Sequence, residues 1–546
     1  MKRVIALLLV LVSLLSLCAC GKEEEKDVSG KIKIKIGMGT SAKITDLQEN
    51  ALTRWLEQET GTQIEIVEYA GGTDVATQIA ATIAARQELP DILWGVNFSA
   101  STINTYGRDG YFVDLRPYYE DDQGASKVFW DRMAECLDEY QQNYVIRKTT
   151  DPDNGGMYGV PTIETSLVDD LDFMVWINKD MLKLVGKEPP KSTKELYEVL
   201  KAFKAAGCEF PLYGSQNSSS PAQVVNWILN MYMYYNDGHL WQDYNGDGKI
   251  EAAFTQDAYR EALQFVRQLY TEKLLNTTIY TDTAADMKKI TTPVDGKAKC
   301  GIFLGHLTSH TQFGNEVLYQ YECLPTWGAA TKGDISCALD CFITETAAKR
   351  GIVDQCFALM MKMWTKDGAL RIRYGEYGVN WTDADAGAKS EYGIDAQYKM
   401  LNDPFMQQNA VMWGDIACTL NDYAEGESAQ IGDELDAWQA EKSKMLATAY
   451  EYYENALKNN NPKFLKEPFL ETFVLTTKED DEISMKRTNV NNVVTTYVKN
   501  FITGANKKDI NNPAHWQEFL DELKAQGYED VRAMYQTCYV RQKSAS

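Results

Sequence analysis

Lysine and isoleucine alternate from Lys31 to Ile36, the two-residue period of a strand with one buried face. From about Asp46 to Thr60 the period lengthens: Leu52, Trp55 and Leu56 share one helical face, and Gly61 stops the helix. Gln63–Tyr69 reads as a second strand, Asp74 to about Gln87 as a helix capped by Asp74, and Pro90–Trp94 as a third strand. This βαβαβ order predicts a parallel sheet with right-handed crossovers. Ligands of such sheets gather beyond the carboxyl ends of the strands, here Gly37–Thr40, Ala70–Thr73 and Trp94–Asn97.

Farther along, Phe173–Ile177 is strand-like. A helix is predicted from Ser192 to about Ala206, capped by Ser192 or Thr193, with Leu196, Val199, Leu200 and Phe203 on its apolar face. Asn226–Tyr235 reads as a helix, and Tyr259, Ala262, Leu263, Val266, Leu269 and Tyr270 form another helical stripe. Residues 300–304 look like a return strand, and a long helix is predicted from about Leu435 to Lys458, broken by Asn459–Pro462. No internal repeat is visible.

A chain of 546 residues is too long for one ordinary core, so two or more lobes are expected. Lys2 and Arg3 precede an apolar run from Val4 to Leu17, a signal-peptide core shorter than the ~20 residues of a stable membrane span. Leu17-Cys18-Ala19-Cys20-Gly21 resembles a bacterial lipobox with Cys20 as the lipidated residue; the alternative is a plain secretory signal cut near Ala19. Residues 1–19 are then a lipoprotein signal peptide, and 20–30 a charged, solvated tether. The net charge is −23, which argues against nucleic acid as a partner and fits solubility outside a cell. Eleven cysteines without a CxxC, one of them lost with the signal and one lipidated, leave an odd number, which argues against a complete disulfide framework.

Asp243-Tyr244-Asn245-Gly246-Asp247-Gly248-Lys249-Ile250-Glu251 has the oxygen spacing, glycine and isoleucine of an EF-hand-type calcium loop. Asp243, Asn245, Asp247 and Glu251 would give side-chain oxygens and Lys249 its carbonyl; Phe254 stands where a bidentate glutamate would close the shell. The competing reading is an Asp/Asn/Gly turn without metal. Twelve tryptophans and 31 tyrosines supply flat rings on which sugar C–H faces stack, although Trp55, Trp364 and Trp438 fall on core stripes. Only four histidines occur; His306 and His310 lack an HExxH context, and no GxSxG, P-loop or GxGxxG appears.

Tyr158-Gly159-Val160-Pro161, the strand ending in Asn178-Lys179-Asp180-Met181-Leu182, the Pro189-Pro190 turn and the Ser192-capped helix follow a familiar order. With Pro90-Asp91-Ile92, Tyr111–Pro117, Arg373–Trp381 and Asn500–Gly504, it resembles the carbohydrate-type extracellular solute-binding lipoproteins of bacterial ABC importers, of the maltodextrin- and alginate-binding kind. The likeness covers residues 31 to about 540 and implies a two-lobed α/β periplasmic-binding-protein-like fold, parallel-rich sheets flanked by helices, and a hinge of crossover strands. Residues 31–165 with about 290–345 would form the first lobe, and about 170–289 with 346–546 the second.

The resemblance further implies a monomer on the extracellular face of the membrane, held by its lipid anchor. It would capture an oligosaccharide without chemistry, pass it to ABC permease subunits, and hold a structural Ca²⁺. Trp94, Asn97, Glu164 and His306 match sugar-contacting positions of the family, with Trp227, Trp327, Trp381 and Trp413 as weaker candidates. Glu376 departs slightly from the family's Arg-Tyr-Gly-x-Glu-Gly order. A lipid-anchored carbohydrate hydrolase is the alternative function, and a peptide-capturing lipoprotein a third.

Overall fold

The computed structural model describes residues 30–71, 74–121, 123–165, 175–215, 221–235, 240–291, 299–305, 321–324, 335–390, 392–402, 408–414, 417–422, 427–432, 440, 443–444, 447 and 473–544. The signal peptide, Cys20, His306, Trp327 and nearly all of the helix expected over 435–458 lie outside them. The chain divides into two compact units. One takes in the chain up to Ile163, Cys337–Trp381 and Asn402–Asn421; the other takes in Glu164–Ser336, Thr382–Leu401 and Asp422–Ser546.

In the first unit the predicted βαβαβ is present. Strands β1 (Lys33–Gly39), β2 (Gln63–Tyr69), β3 (Ile92–Trp94) and β4 (Val160–Glu164) join strands Ser336–Ile343 and Leu420–Asn421 in one sheet. Across it the order is Leu420–Asn421, β4, Ser336–Ile343, β3, β1, β2. β1 runs parallel to both neighbours, with Gly39 opposite Tyr69 and Met38 opposite Trp94. The helix between β1 and β2 starts at Ala51 rather than Asp46, because Asn50 caps it and its Nδ2 is held by the Met412 carbonyl at 2.7 Å. Ile79, Leu93, Phe112 and Phe342 fill the core, the two phenylalanine rings stacked 4.5 Å apart.

The second unit has its own sheet of β5 (Val175–Asn178), β6 (Phe210–Tyr213), β7 (Cys300–Leu304) and β8 (Tyr321–Cys323), in the order β8-β5-β7-β6. Helix Thr193–Ala205 packs on it as predicted, Ser192 Oγ accepting from the Glu195 N–H at 3.2 Å. Helices Asp257–Thr271, Thr477–Thr503, Pro513–Ala525 and Tyr528–Ser544 share one apolar core with it. A helix spans Pro221–Asn230, earlier than the Asn226–Tyr235 expected. Among the described residues no helix is long and apolar enough to cross a membrane.

The expected lobe boundaries need correction in three places, one of them Asn402–Asn421, which was assigned to the second lobe and belongs to the first unit. β7, assigned to the first lobe, pairs antiparallel with β5 and parallel with β6 inside the second unit. Residues 346–381, assigned to the second lobe, carry helices Glu345–Arg350, Val353–Met363 and Lys366–Tyr374 of the first unit. Periodicity identifies a strand or helix but not its partner.

Candidate functional site

The carboxyl ends of β1, β2 and β3 come together as the parallel order requires. β1 and β2 are locked at this end: Thr40 N–H donates to the Tyr69 carbonyl at 2.9 Å, and a Cβ on Gly71 would lie 1.9 Å from the Thr40 carbonyl oxygen. Trp94 closes β3. Its side chain is 3% exposed, and its Nε1–H is buried without a hydrogen-bond partner. The Trp413 ring meets it edge-on at 5.0 Å, and Trp413 Nε1 donates to Thr53 Oγ1 at 2.7 Å. An indole N–H left buried and unpaired is costly unless a ligand or water accepts from it.

After Trp94 the chain turns at Gly95, which has φ +65°. Gly95 N–H points at Cys341 Sγ and Val96 N–H donates to the Asp340 carbonyl at 2.8 Å, so Asn97 stands exposed on a fixed loop. Beneath lies Asp340, 6% exposed. Its carboxylate accepts from Thr162 Oγ1 at 2.7 Å, and Thr162 Oγ1 accepts from the Cys418 N–H at 2.7 Å. Burial pushes the Asp340 carboxyl up to about 6, against the opposing pull of the Thr162 and Cys341 hydrogen bonds. The chain thus ties β4, strand Ser336–Ile343 and the segment after Trp413 into one support.

Trp381 is 5% exposed, with Nε1 donating to the Gly375 carbonyl at 3.0 Å; it is the base of a turn. Glu376 N–H donates to Asn380 Oδ1 at 2.9 Å, Asn380 N–H to the Glu376 carbonyl at 2.8 Å, and Gly378 N–H to the Trp381 carbonyl at 2.7 Å. The turn holds Tyr377 half exposed, edge-on to Trp381 at 4.9 Å. Sequence reasoning chose the larger aromatic; the glycines flanking Tyr377 were the signal that this ring, not Trp381, is presented outward. Glu164 ends β4 with its side chain partly exposed. Trp227 is a correction: at 1% exposure it belongs to the core of the second unit, on helix Pro221–Asn230.

The loop of residues 243–251 folds tightly. Gly246 and Gly248 take φ of +67° and +81°, and the Asp243 carboxylate accepts from the N–H groups of Asp247 at 3.0 Å and Gly248 at 2.8 Å. Gln536 secures the far side, donating to the Gly248 carbonyl and accepting from the Ile250 N–H, each at 2.8 Å. Asp243, Asn245, Asp247 and the Lys249 carbonyl are the oxygen donors that such a loop would offer a calcium ion. Glu251, expected as a fifth donor, starts a two-residue strand and is held by Tyr528 OH at 3.2 Å and Arg532 at 3.4 Å. Among the described residues no three Asp, Glu, His or Cys side chains form a metal-holding group. Lys249 Nζ on Asp247 Oδ2 at 2.9 Å holds the Asp247 carboxyl below its ordinary range.

Residues 51–302 match the family described as bacterial extracellular solute-binding protein. The chain is 26% identical over 245 residues to the fructooligosaccharide ABC transporter substrate-binding protein FusA of Streptococcus pneumoniae. It is 25% identical over 246 residues to lipoprotein LipO of Bacillus subtilis. Either match covers 42–43% of this chain, and the chain spans only 42–43% of the length of these curated relatives. In three dimensions it is similar to an HMO-binding, ABC-transporter-associated solute-binding protein from Bifidobacterium longum infantis. That match has TM-score 0.71 and 17% identity, and covers 93% of this chain and 99% of that one. FusA in complex with kestose matches with TM-score 0.64 and 19% identity over 94% of this chain and 100% of that one. A second FusA structure, described as an EF-hand mutant with fructo-nystose, gives 0.63 and 20% over 94% and 100%. The fold is therefore the two-lobed α/β fold of extracellular solute-binding proteins. By sequence over residues 51–302, somewhat under half of the chain, and by fold over nearly its whole length, the chain is similar to bacterial extracellular solute-binding proteins.

Proposed function

We propose that this chain captures an oligosaccharide outside the cell and hands it, unaltered, to the permease of an ABC importer. The observation that carries the reading is the carboxyl end of β3, where exposed Asn97 stands on a fixed loop just past Trp94, itself braced by Trp413. Trp94, 3% exposed, forms the floor of that end rather than a direct sugar contact. Asn97, Glu164 and Tyr377 are proposed as contacts, the first two for hydroxyls and the ring for a C–H face. FusA is named as a fructooligosaccharide binder, which supports the substrate class and favours binding over hydrolysis. LipO is named a lipoprotein, which supports anchoring through Cys20.

Calcium at Asp243, Asn245, Asp247 and the Lys249 carbonyl is proposed as a structural ion, with water completing its shell. Its support is the two positive-φ glycines and the oxygen spacing of the loop. The test of function is a thermal-shift and calorimetric screen against neutral oligosaccharides, with chromatography of the recovered sugar. A specific saccharide that raises the melting temperature and returns intact supports capture. Cleaved products, or no saccharide bound by a folded protein, overturn it.

A further inference from the structure

A groove of about 700 Å³ runs along helix Asp257–Thr271 in the second unit, within the range of about 300–1,000 Å³ common for small-molecule sites. Glu261, Gln264, Phe265 and Gln268 line it, on the face turned away from the buried stripe of Tyr259, Ala262, Leu263, Val266 and Leu269. Phe265 breaks an otherwise polar line. Beside it sits Tyr232, the two half-buried rings 6.3 Å apart and tilted by 45°. The opposite rim is the turn carrying Asp509 and Asn511. It is held in shape by Asp509 Oδ1, which accepts from the Asn511 N–H at 3.0 Å and from its Nδ2 at 3.2 Å. No lining residue belongs to a strand end, so the groove is separate from the Trp94 site.

We propose that this groove is a second saccharide-binding site, selective for neutral sugar units. Two adjoining rings offer a platform for the apolar face of a pyranose or furanose. The Gln264 amide presents donor and acceptor to neighbouring hydroxyls, and Gln268 and Asn511 keep their amide oxygens while their N–H groups donate to Glu272 at 3.0 Å and Asp509 at 3.2 Å. Among the described residues the side chains of Gln264 and Glu261 make no hydrogen bond to the protein, so both side chains remain available. Charge sets the selectivity. Glu261, Glu272 and Asp509 face one cation, Arg267, whose Nη1 is engaged by the Ile502 carbonyl at 2.9 Å. Uronates and sulfated sugars are repelled.

Equilibrium dialysis of the full chain with labelled kestose and maltotetraose, each against an equally long uronate, tests this. The expected result is two classes of site for at least one neutral sugar, and no occupancy of the weaker class by the uronate. Phe265→Ala and Gln264→Ala should weaken only the weaker class, about tenfold. Gln264 is not in the core, so its variant isolates binding from stability. Asn97→Ala, at an exposed position, should weaken only the tighter class. Loss of the groove-sensitive class in the groove variants with no change in Asn97→Ala leaves the groove standing and sinks the assignment at Asn97. Saccharide binding that ignores both groove variants, or the absence of any neutral-sugar binding, overturns the second site.

Discussion

Trp413 presents its ring edge to Trp94, centroids 5.0 Å apart at 88°, while its own N–H is fixed by Thr53 Oγ1 at 2.7 Å. Thr53 is 1% exposed and also donates to the Leu47 carbonyl at 2.7 Å. Thr53→Val keeps the shape and removes both hydrogen bonds. Leaving two buried partners unpaired should cost about 2–4 kcal/mol of stability, read by urea unfolding. Thr53→Ser should recover most of it. Equal losses for the two variants would show that the hydroxyl does not hold Trp413.

Trp94 and Asn97 separate packing from contact. Trp94→Phe shrinks a 3% exposed ring packed on Trp413, so stability should fall by about 1–3 kcal/mol. Asn97→Ala changes an exposed side chain on the loop beyond it, so saccharide affinity should fall about tenfold with little change in melting temperature. Calorimetry and melting curves on the same samples check both, and unchanged affinity in Asn97→Ala would remove that contact.

Asp340 gives a pH dependence with a definite sign. Its carboxyl is raised to about 6 by burial, from an ordinary 3.8, so the folded chain holds the proton more tightly than the unfolded one. The stability it contributes is full below pH ~4 and is lost as pH rises through ~6, a span on the order of 3 kcal/mol. Asp340→Asn should flatten this fall relative to the parent chain. Parallel stability curves between pH 4 and 7 would refute the assignment.

Calcium, if bound only by the folded chain, raises stability by about 2.7 kcal/mol at a hundredfold excess over its dissociation constant. EDTA should lower the melting temperature, and Asp243→Ala should abolish the EDTA effect. Glu251→Gln should leave the calcium response in place, because Glu251 already serves Tyr528 and Arg532. Elemental analysis without calcium, with no EDTA shift, would remove the ion.

Tyr377 and Trp381 should behave oppositely. Tyr377 is 50% exposed, so Tyr377→Ala should weaken saccharide binding and barely move the melting temperature. Trp381→Ala removes a ring that is 5% exposed and the turn's tie to Gly375, and should cost about 3–5 kcal/mol. Comparing affinity and melting temperature across the pair decides which ring faces the ligand.

Much of the local structure was legible in the residues. Alternation and helical stripes located β1 to β3 and the Ser192-capped helix, and the helical stripe of Asp257–Thr271. The Gly246 and Gly248 turns were readable because only glycine takes φ near +70° at little cost. What failed was assignment to a partner. Trp227 lies on the buried face of its helix, which a lone tryptophan in a mixed segment does not announce.

By itself the sequence determined β1 to β3, the Ser192-capped helix, the helical stripe of Asp257–Thr271 and where the parallel strands end. Those follow from side-chain period and capping, which act over a few residues. Only the tertiary structure decided that β7 inserts between β5 and β6, that Trp413 braces Trp94, and that Asp340 lies buried against Thr162. Those relations join residues far apart in the chain. They are fixed by close packing and by the need to satisfy buried polar groups, neither of which leaves a local pattern.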